Sequence, residues 1–193
     1  MTITEPKWKS WVVETKQPLF TPDQCNKIID AGRRQPPQQA QVGMNRPEGG
    51  VNTKTRTTTI SWIPFKEMQP MYKDINKFIQ KANKNHFGFG DIQITEQAQF
   101  TEYPEGGFYD WHMDTDVNMQ HEPPVRKISM TLLLSPENQF EGGDLEIMTP
   151  GSKVKLTQGN AITFASFLNH RVAPVTKGVR QSLVMWFGGE PFK

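Results

Sequence analysis

Two different periodicities divide the chain into an N-terminal part with helices and a C-terminal part with strands. Between Phe65 and Asn85, apolar side chains recur at intervals of three and four residues, which predicts a helix with one apolar face. From residue 92 onwards, short apolar or alternating runs are separated by Gly, Pro and Asn, a pattern typical of β-strands. The pattern therefore predicts a mainly β protein with N-terminal helices.

The N-terminal part also contains an earlier helix start and a strand. Thr21 suits a helix cap, Pro22 the first helical position, and Gln24 the closing side chain of a capping box. Gly32 is expected to end this helix. A run rich in β-branched residues, from Thr53 to Ile63, predicts a strand.

The segment between that helix and that strand, Arg33 to Gly50, is rich in Pro, Gln, Gly and Asn. A segment of this composition buries little apolar area. We therefore predict a loop that is poorly ordered, or acts as a lid, when no substrate is bound.

The C-terminal part contains eight strand-like runs. Short strands at this spacing predict a sandwich or barrel of the jelly-roll type. We expect a single domain over residues 1–193, in which residues 1–90 support a β core formed by residues 91–188. The runs are residues 92–103, 108–114, 127–135, 144–148, 153–156, 161–164, 170–175 and 180–187.

The charge balance and the cysteine count narrow the functional class. The formal net charge is only +2, so composition gives no support to nucleic-acid binding. No apolar run is long enough to cross a bilayer, and the first residues contain no apolar signal core. The one cysteine, Cys25, excludes an internal disulfide and fits a reducing compartment. We predict a cytoplasmic protein that binds neither nucleic acid nor membranes.

Candidate metal ligands lie in one of the strand-like runs. Side chains two positions apart on a strand share a face, so His112 and Asp114 can converge on one ion. Asp110 and Asp116 have the same parity, and spacing alone does not choose among these carboxylates. His170, on a distant strand, is the candidate third ligand. Two histidines and one carboxylate are the ligand set of non-haem Fe(II) oxygenases, whereas a structural zinc site usually contains cysteines.

Arg180 begins the last predicted strand. A guanidinium directed into a barrel is costly unless it meets an anion, and its planar fork suits a carboxylate held at two points. An interior arginine beside iron ligands is the arrangement that a dicarboxylate cosubstrate would need.

These motifs together resemble the 2-oxoglutarate/Fe(II)-dependent dioxygenases, and within them the prolyl-4-hydroxylase-like branch with its PKHD-type hydroxylases. The resemblance spans roughly residues 92–187 and rests on four ordered segments. These are YPEGGFYDWHMD from Tyr103, RKISMTLLLS from Arg126, EGGDL from Glu141 and HRVAPVTKGVR from His170.

The resemblance implies a double-stranded β-helix, which is a jelly-roll, cupin-like core, with Fe(II) bound inside one mouth. It also implies 2-oxoglutarate and O2 as cosubstrates, with ascorbate as a candidate reductant. The implied iron ligands are His112, Asp114 and His170. The implied cosubstrate pocket contains Arg180 on the distal carboxylate, Tyr103 as a hydrogen-bonding group, and Val172 and Trp186 as lining residues.

The chain departs from some family members at Leu133, where certain animal prolyl hydroxylases have a second cosubstrate-binding tyrosine. The distal carboxylate is then left with Arg180 and a hydroxyl such as that of Thr131. The segment Glu141–Leu145 resembles the tight turn before a core strand, and we expect it to be structural.

The implied activity is hydroxylation of a peptide or protein residue, with proline as the leading candidate, and release of succinate and CO2. Arg56 and Trp62, which precede the core, are candidate substrate contacts. Hydroxylation of a free amino acid or another small molecule is the alternative. A catalytically inert cupin-like metal-binding protein is less favoured because the ligand set and Arg180 are intact. A nucleic-acid demethylase of the same superfamily is also less favoured. That branch carries a second arginine shortly after the first on the last strand, whereas none closely follows Arg180 here.

Overall fold

The computed structural model describes residues 10–39, 55–115 and 124–192. The two α-helices are α1 (Pro22–Arg33) and α2 (Gln69–Ala82), and α2 continues into a π-helical turn at Asn83–Phe87. The strands of the N-terminal part are β1 (Val12–Glu14), β2 (Gln38–Gln39), β3 (Arg56–Thr57) and β4 (Thr59–Ile63). The later strands are β5 (Gln93–Ile94), β6 (Ala98–Tyr103), β7 (Phe108–His112), β8 (Val125–Leu133), β9 (Phe140–Gly142), β10 (Leu145–Ile147), β11 (Lys153–Val154), β12 (Ala161–Ala165), β13 (His170–Val172), β14 (Val175–Gly178) and β15 (Arg180–Gly189).

In the described residues, these strands form two main sheets and a small pair. The larger sheet has the order β1-β12-β8-β15-β6-β4-β2, and β5 also pairs with β15. The smaller sheet has the order β11-β10-β13-β7-β3, while β14 pairs with β9. The paired strands of the described residues run antiparallel, and this pairing places residues 108–112 beside residues 170–172.

The larger sheet buries its outer face against both helices. Period-2 alternation along β8 directs Ile128, Met130 and Leu132 to this helical layer, where they join apolar residues of α1 and α2 such as Ile28 and Ile75. The helices of the N-terminal part therefore complete the hydrophobic core of the sheet that carries the later strands.

The inner face of the larger sheet meets the smaller sheet across a second apolar cluster. Tyr103, Ile162 and Phe164 come from the larger sheet, and Leu145 and Val172 come from the smaller one. The space between the two sheets, called here the interior, also receives polar side chains of β6, β8 and β15. These are Gln99, Thr101, Ser129, Thr131, Arg180 and Ser182, and all six are buried.

Two predicted boundaries in the N-terminal part are wrong. Gly32 does not end α1, which runs to Arg33. Its lack of a side chain serves packing instead, because a Cβ at Gly32 would lie 2.3 Å from Cγ of Phe100. The predicted strand 53–63 is two strands in different sheets, β3 in the smaller and β4 in the larger. The chain crosses between the sheets around Thr58, so Arg56 and Trp62 approach the interior from opposite sides.

Other elements also differ from their predicted bounds. α2 starts at Gln69 rather than near Phe65, and its last turn is π-helical. The predicted strand 170–175 is divided between β13 and β14. The predicted strand 108–114 ends at His112, so Asp114 lies beyond it. Most of the predicted loop, residues 40–50, lies outside the described residues, while 38–39 form β2. Among the described helices, none is long and apolar enough to cross a membrane.

Tyr72 of α2 ties the helical layer to two strands of the larger sheet. Its hydroxyl donates to the carbonyl of Ile63 at the end of β4 and accepts from the N–H of Ala98 at the start of β6. Replacing Tyr72 by Phe would leave both buried backbone groups unpaired. We expect the free energy of unfolding to fall by about 2 kcal/mol or more in urea denaturation. A change within about 0.5 kcal/mol would contradict this role, since surface substitutions stay in that range.

Candidate metal centre and cosubstrate pocket

Three side chains meet at one end of the interior. His112, the last residue of β7, is the antiparallel partner of His170, the first residue of β13. Nε2 of His112 lies 3.5 Å from Oδ1 of Asp114, and Nε2 of His170 lies 3.5 Å from Oδ2 of the same carboxylate. One ligand atom from each residue lies within 4.8 Å of the other two, so a single ion between them can contact all three.

Asp114 reaches this position because of contacts made after β7 has ended. Its backbone N–H donates to the carbonyl of Ser166 at 2.9 Å. The hydroxyl of Ser129 donates to Oδ2 of Asp114 at 2.7 Å and lies 2.9 Å from the hydroxyl of Ser166. The carboxylate is thus oriented by β8 and by the segment that follows β12.

Backbone carbonyls set the orientation of both imidazoles. Nδ1 of His112 lies 2.8 Å from the carbonyl oxygen of Asp110, and Nδ1 of His170 lies 3.0 Å from that of Leu168. A carbonyl oxygen only accepts, so each Nδ1 carries the proton and each Nε2 has a free lone pair. Both free lone pairs are on the nitrogens that face Asp114, which is the tautomer a metal requires.

The protonation states also suit a cation. Burial lowers the pKa of His170 to about 4, so this imidazole is neutral at pH 7. Burial alone would raise the pKa of the Asp114 carboxyl, but His170, His112 and Arg126 hold it well below its usual range. A buried, ionised carboxylate beside the neutral imidazole of His170 is a position that favours a divalent cation. Two nitrogens, one carboxylate and no thiolate fit Fe(II).

The structure separates Asp114 from Asp110, one of the two carboxylates that spacing left as alternatives. Asp110 is exposed, and its Oδ1 accepts from the N–H of Trp111 instead of joining the cluster. Asp116 and His121 lie outside the described residues. His86 is exposed, in the π-helical turn after α2.

Arg180 lies in the interior, as predicted. Only 2% of its surface is exposed, and its Nη1 donates to the hydroxyl of Ser182 at 3.1 Å. Among the described residues, no carboxylate forms an ion pair with Arg180, and nearby Asp144 is paired with Lys153 at 2.7 Å. Burial lowers the pKa of Arg180. A buried guanidinium is stable only with an anionic partner, and the described residues do not supply one for Arg180.

Gly143 makes room for Arg180. It has a φ of +64°, and a Cβ there would lie 2.8 Å from Cδ of Arg180 and 2.9 Å from Cγ2 of Val175. The turn Glu141–Leu145, which the sequence predicts to be structural, therefore also leaves the space that the side chain of Arg180 occupies.

The other predicted pocket residues line the same interior. Tyr103 is the cross-strand partner of Arg180, and its ring lies 5.6 Å from Cζ of Arg180. Thr131 is buried opposite Val184, two residue pairs beyond Ser182, and Ser182 is the hydroxyl that contacts Arg180. The remaining predicted residues are also buried: Val172 on β13, Trp186 on β15 and Arg56 on β3. The ring centroids of Trp186 and Trp62 lie 6.2 Å apart.

Sequence reasoning missed several polar neighbours of these residues. Ser129 and Ser166 are ordinary serines in sequence, and only the pairing of β8 with β12 places them beside Asp114. Arg126 lies over the ring of Trp186 at 4.0 Å and pairs with Glu96. Tyr109 stacks on His112 with ring centroids 3.5 Å apart. Regular alternation would place Tyr109 and His112, which are three residues apart, on opposite faces of β7, and an irregular register with β13 brings the two rings together.

Comparison with protein families supports an oxygenase site. Residues 98–188 match the model of the 2OG-Fe(II) oxygenase superfamily, a segment that contains all three candidate ligands and Arg180. A PKHD-type hydroxylase of Alteromonas mediterranea is 38% identical over 92 residues, 45% of this chain and 41% of that protein. One from Colwellia psychrerythraea is 33% identical over 144 residues, 59% of this chain and 64% of that protein. The chain thus matches less than two thirds of the length of these relatives. The family resemblance predicted from the motifs is confirmed.

Solved structures confirm the fold. The viral collagen prolyl hydroxylase of Paramecium bursaria Chlorella virus-1, in its 2OG complex, has a TM-score of 0.73 and 19% identity, covering 94% of this chain and 97% of the viral one. A Pseudomonas putida prolyl-4-hydroxylase has a TM-score of 0.66 and 20% identity, covering 94% of each chain. The predicted double-stranded β-helix core is therefore correct.

The metal assignment predicts different effects for two aspartates four residues apart. Asp114→Ala removes the carboxylate ligand, so Mn(II) binding measured by calorimetry should fall below detection. Asp110→Asn is the matched control and should bind Mn(II) within about twofold of wild type, because surface changes away from a site have small effects. Loss of binding in Asp110→Asn with retention in Asp114→Ala would reverse the assignment.

The contact between Ser129 and Asp114 predicts a positioning effect. Ser129→Ala leaves all three ligands in place but frees the carboxylate to rotate, so Mn(II) affinity should fall by about 10- to 100-fold. Ser61→Ala is the control, since it also removes a buried hydroxyl bond, to the carbonyl of Gly32, but on the helical side of the sheet. It should lower stability and leave Mn(II) affinity unchanged. Equal Mn(II) affinities in Ser129→Ala and wild type would contradict the positioning role.

Proposed function

We propose that this protein is a 2-oxoglutarate-dependent hydroxylase of a peptide or protein residue, with proline as the leading candidate. The premise is the match of residues 98–188 to the 2OG-Fe(II) oxygenase superfamily. The cosubstrate assignment rests on the guanidinium of Arg180, which is buried in the same interior as the three metal ligands and has no carboxylate partner among the described residues. Neither feature alone would distinguish an oxygenase from a metal-binding protein.

In the proposed reaction, the bound metal and cosubstrates would supply the oxidising power, and the side chains of the protein would bind and orient them. Bound Fe(II), with 2-oxoglutarate and O2, supplies the oxidising power that hydroxylates a C–H bond, with succinate and CO2 as coproducts. His112, Asp114 and His170 would hold the metal from one side and leave its other side open to the interior. Arg180 would fix the distal carboxylate of 2-oxoglutarate, and Tyr103 and Ser182 would contribute hydroxyls beside it. The apolar residues of the second cluster would exclude water.

The proposal of a peptide substrate rests on relatives. A prolyl hydroxylase of Trichoplax adhaerens was solved with a hypoxia-inducible factor peptide fragment and has a TM-score of 0.67 to this chain, with 18% identity, 93% coverage of this chain and 84% of that one. The viral neighbour is named a collagen prolyl hydroxylase. On this basis Trp62 and Arg56 would contact the bound segment, and Val172 and Trp186 would line the cosubstrate pocket.

The proposal covers the chain as one oxygenase domain. Helices α1 and α2 pack on the outer face of the same sheet whose inner face carries Arg180, so the helical layer and the catalytic interior share strands β6, β8 and β15. Separating residues 1–90 from 91–188 would expose the apolar face of that sheet.

The direct test of the proposed function is mass spectrometry of peptide libraries after incubation with the Fe(II)-loaded protein, 2-oxoglutarate, O2 and ascorbate. A hydroxylated peptide, formed together with succinate in equal amount, is the expected result. Asp114→Ala is the control that retains the fold without the metal. Hydroxylation of free amino acids but of no peptide would favour the small-molecule alternative.

The role of Arg180 predicts a change in cosubstrate affinity. Arg180→Lys retains the positive charge but loses the planar fork, so the KM for 2-oxoglutarate in succinate formation should rise by about tenfold or more. Mn(II) affinity should stay near that of wild type, since Arg180 is not a ligand. Arg171→Lys is the matched control, because Arg171 is an arginine on β13 that is paired with Glu146. An unchanged KM in Arg180→Lys would make Arg180 a structural residue.

A further inference from the structure

Arg56 is a second arginine that enters the interior, and the roles assigned to Arg180 do not explain it. It starts from β3 of the smaller sheet, and its Nη2 donates to Oε1 of Gln99 on β6 of the larger sheet at 3.0 Å. Its side chain therefore crosses the space between the sheets. Only 8% of its surface is exposed.

The charge of Arg56 is uncompensated in the described part of the chain. Its hydrogen-bond acceptor, Gln99, is a neutral amide, and its Nε–H is buried with no acceptor. The ring of Tyr109, 4.3 Å from Cζ, offers a cation–π contact, which is weaker than a paired anion. A buried charge in this state is strongly unfavourable, so a ligand that supplies an anion would be bound there.

Two other arginines show how this chain compensates a guanidinium that lies over an aromatic ring. Arg126 lies over Trp186 and pairs with Glu96. Arg171 lies 5.1 Å from the ring of Trp111 and pairs with Glu146. Both have a carboxylate partner within the protein. Arg56 has the aromatic ring, but none of the described residues gives it a carboxylate partner.

The position of Arg56 also connects it to the metal centre. The ring that it contacts, Tyr109, is stacked on the metal ligand His112. Trp186, which lies on β15 of the larger sheet, also has a buried Nε1–H that meets no acceptor in residues 10–39, 55–115 and 124–192. Arg180 lies beside Tyr103 at one end of β6, whereas Arg56 is held by Gln99 near the other end. Gln99 and Tyr103 are four residues apart on this strand, which corresponds to about 13 Å. The two interior arginines thus serve separate positions.

We propose that Arg56, held by Gln99, is a second carboxylate-binding position in the interior, distinct from Arg180. The carboxylate comes either from the keto-acid end of 2-oxoglutarate or from a substrate that carries one, such as an acidic peptide or an amino acid. The identity of these ligands rests on the proposed function, whereas the presence of an anion position does not.

The test uses Mn(II)-loaded full-length protein and two titrations that need no turnover. In the first, 2-oxoglutarate is titrated by calorimetry. In the second, ¹³C-acetate is added to protein saturated with Mn(II) and N-oxalylglycine, so that Arg180 is occupied, and paramagnetic broadening of the acetate signal reports a carboxylate near the metal. Each titration compares wild type with Arg56→Met, and Arg171→Met is the matched control because its charge is already paired.

Two results support the proposal and name the source of the carboxylate. If Arg56 holds the keto-acid end, Arg56→Met weakens 2-oxoglutarate binding by about tenfold or more. If it holds a substrate carboxylate, 2-oxoglutarate binding stays within twofold, and the acetate broadening seen in wild type is lost in Arg56→Met. Arg171→Met should match wild type in both titrations.

Unchanged results in both titrations would overturn the proposal and leave Arg56 a structural residue. The melting temperature of the ligand-free protein separates these roles further, since removing an uncompensated buried charge should not lower it. If Arg56→Met does not fold, Arg56→Lys keeps the charge without the fork, and the same two titrations decide. Absence of hydroxylation together with the expected anion binding would count against the proposed function and not against this position.

Discussion

The arrangement of this site depends on the antiparallel pairing of β7 with β13, which sets His112 directly opposite His170. The two histidines are far apart in the chain, and neither strand is long: β7 has five residues and β13 has three. Their sheet is held in place by the apolar cluster that it shares with the larger sheet. Disturbing that cluster would separate the ligands without changing any of them.

The larger sheet contributes the polar half of the site. Its outer face is covered by the helices, so its inner face can carry Ser129, Ser182 and Arg180 without exposing the apolar core. Ser129 orients the carboxylate of Asp114, and Arg180 has a hydroxyl partner but no counter-charge within the part of the chain that the structure describes. A protein interior of this kind is unfavourable when empty and favourable when an anion and a cation are bound together, which links stability to ligand binding.

The sequence predicts the chemistry of this site better than its geometry. The ligands and Arg180 could be found because their residue types and order form one distinctive set. Strand alternation predicts Asp114 as a ligand but does not explain its position, because β7 ends at His112. Contacts with Ser166 and Ser129 place the carboxylate instead. Such contacts between distant strands leave no local signal. The chain crosses between the sheets around Thr58, so Arg56 and Trp62 enter the interior from opposite sheets. The sequence does not predict this crossing, because residues 53–63 form one continuous β-branched run with no local signal for a break.

A crystal structure of the protein with Mn(II) and 2-oxoglutarate, grown without O2, would show directly whether the three ligands and Arg180 form one site. We predict one ion bound by Nε2 of His112, a carboxylate oxygen of Asp114 and Nε2 of His170 at about 2.0–2.2 Å, the range that such ligands show with zinc. We also predict the distal carboxylate of 2-oxoglutarate on the guanidinium of Arg180. An ion held by other residues, or a cosubstrate that leaves Arg180 without a carboxylate, would contradict this prediction.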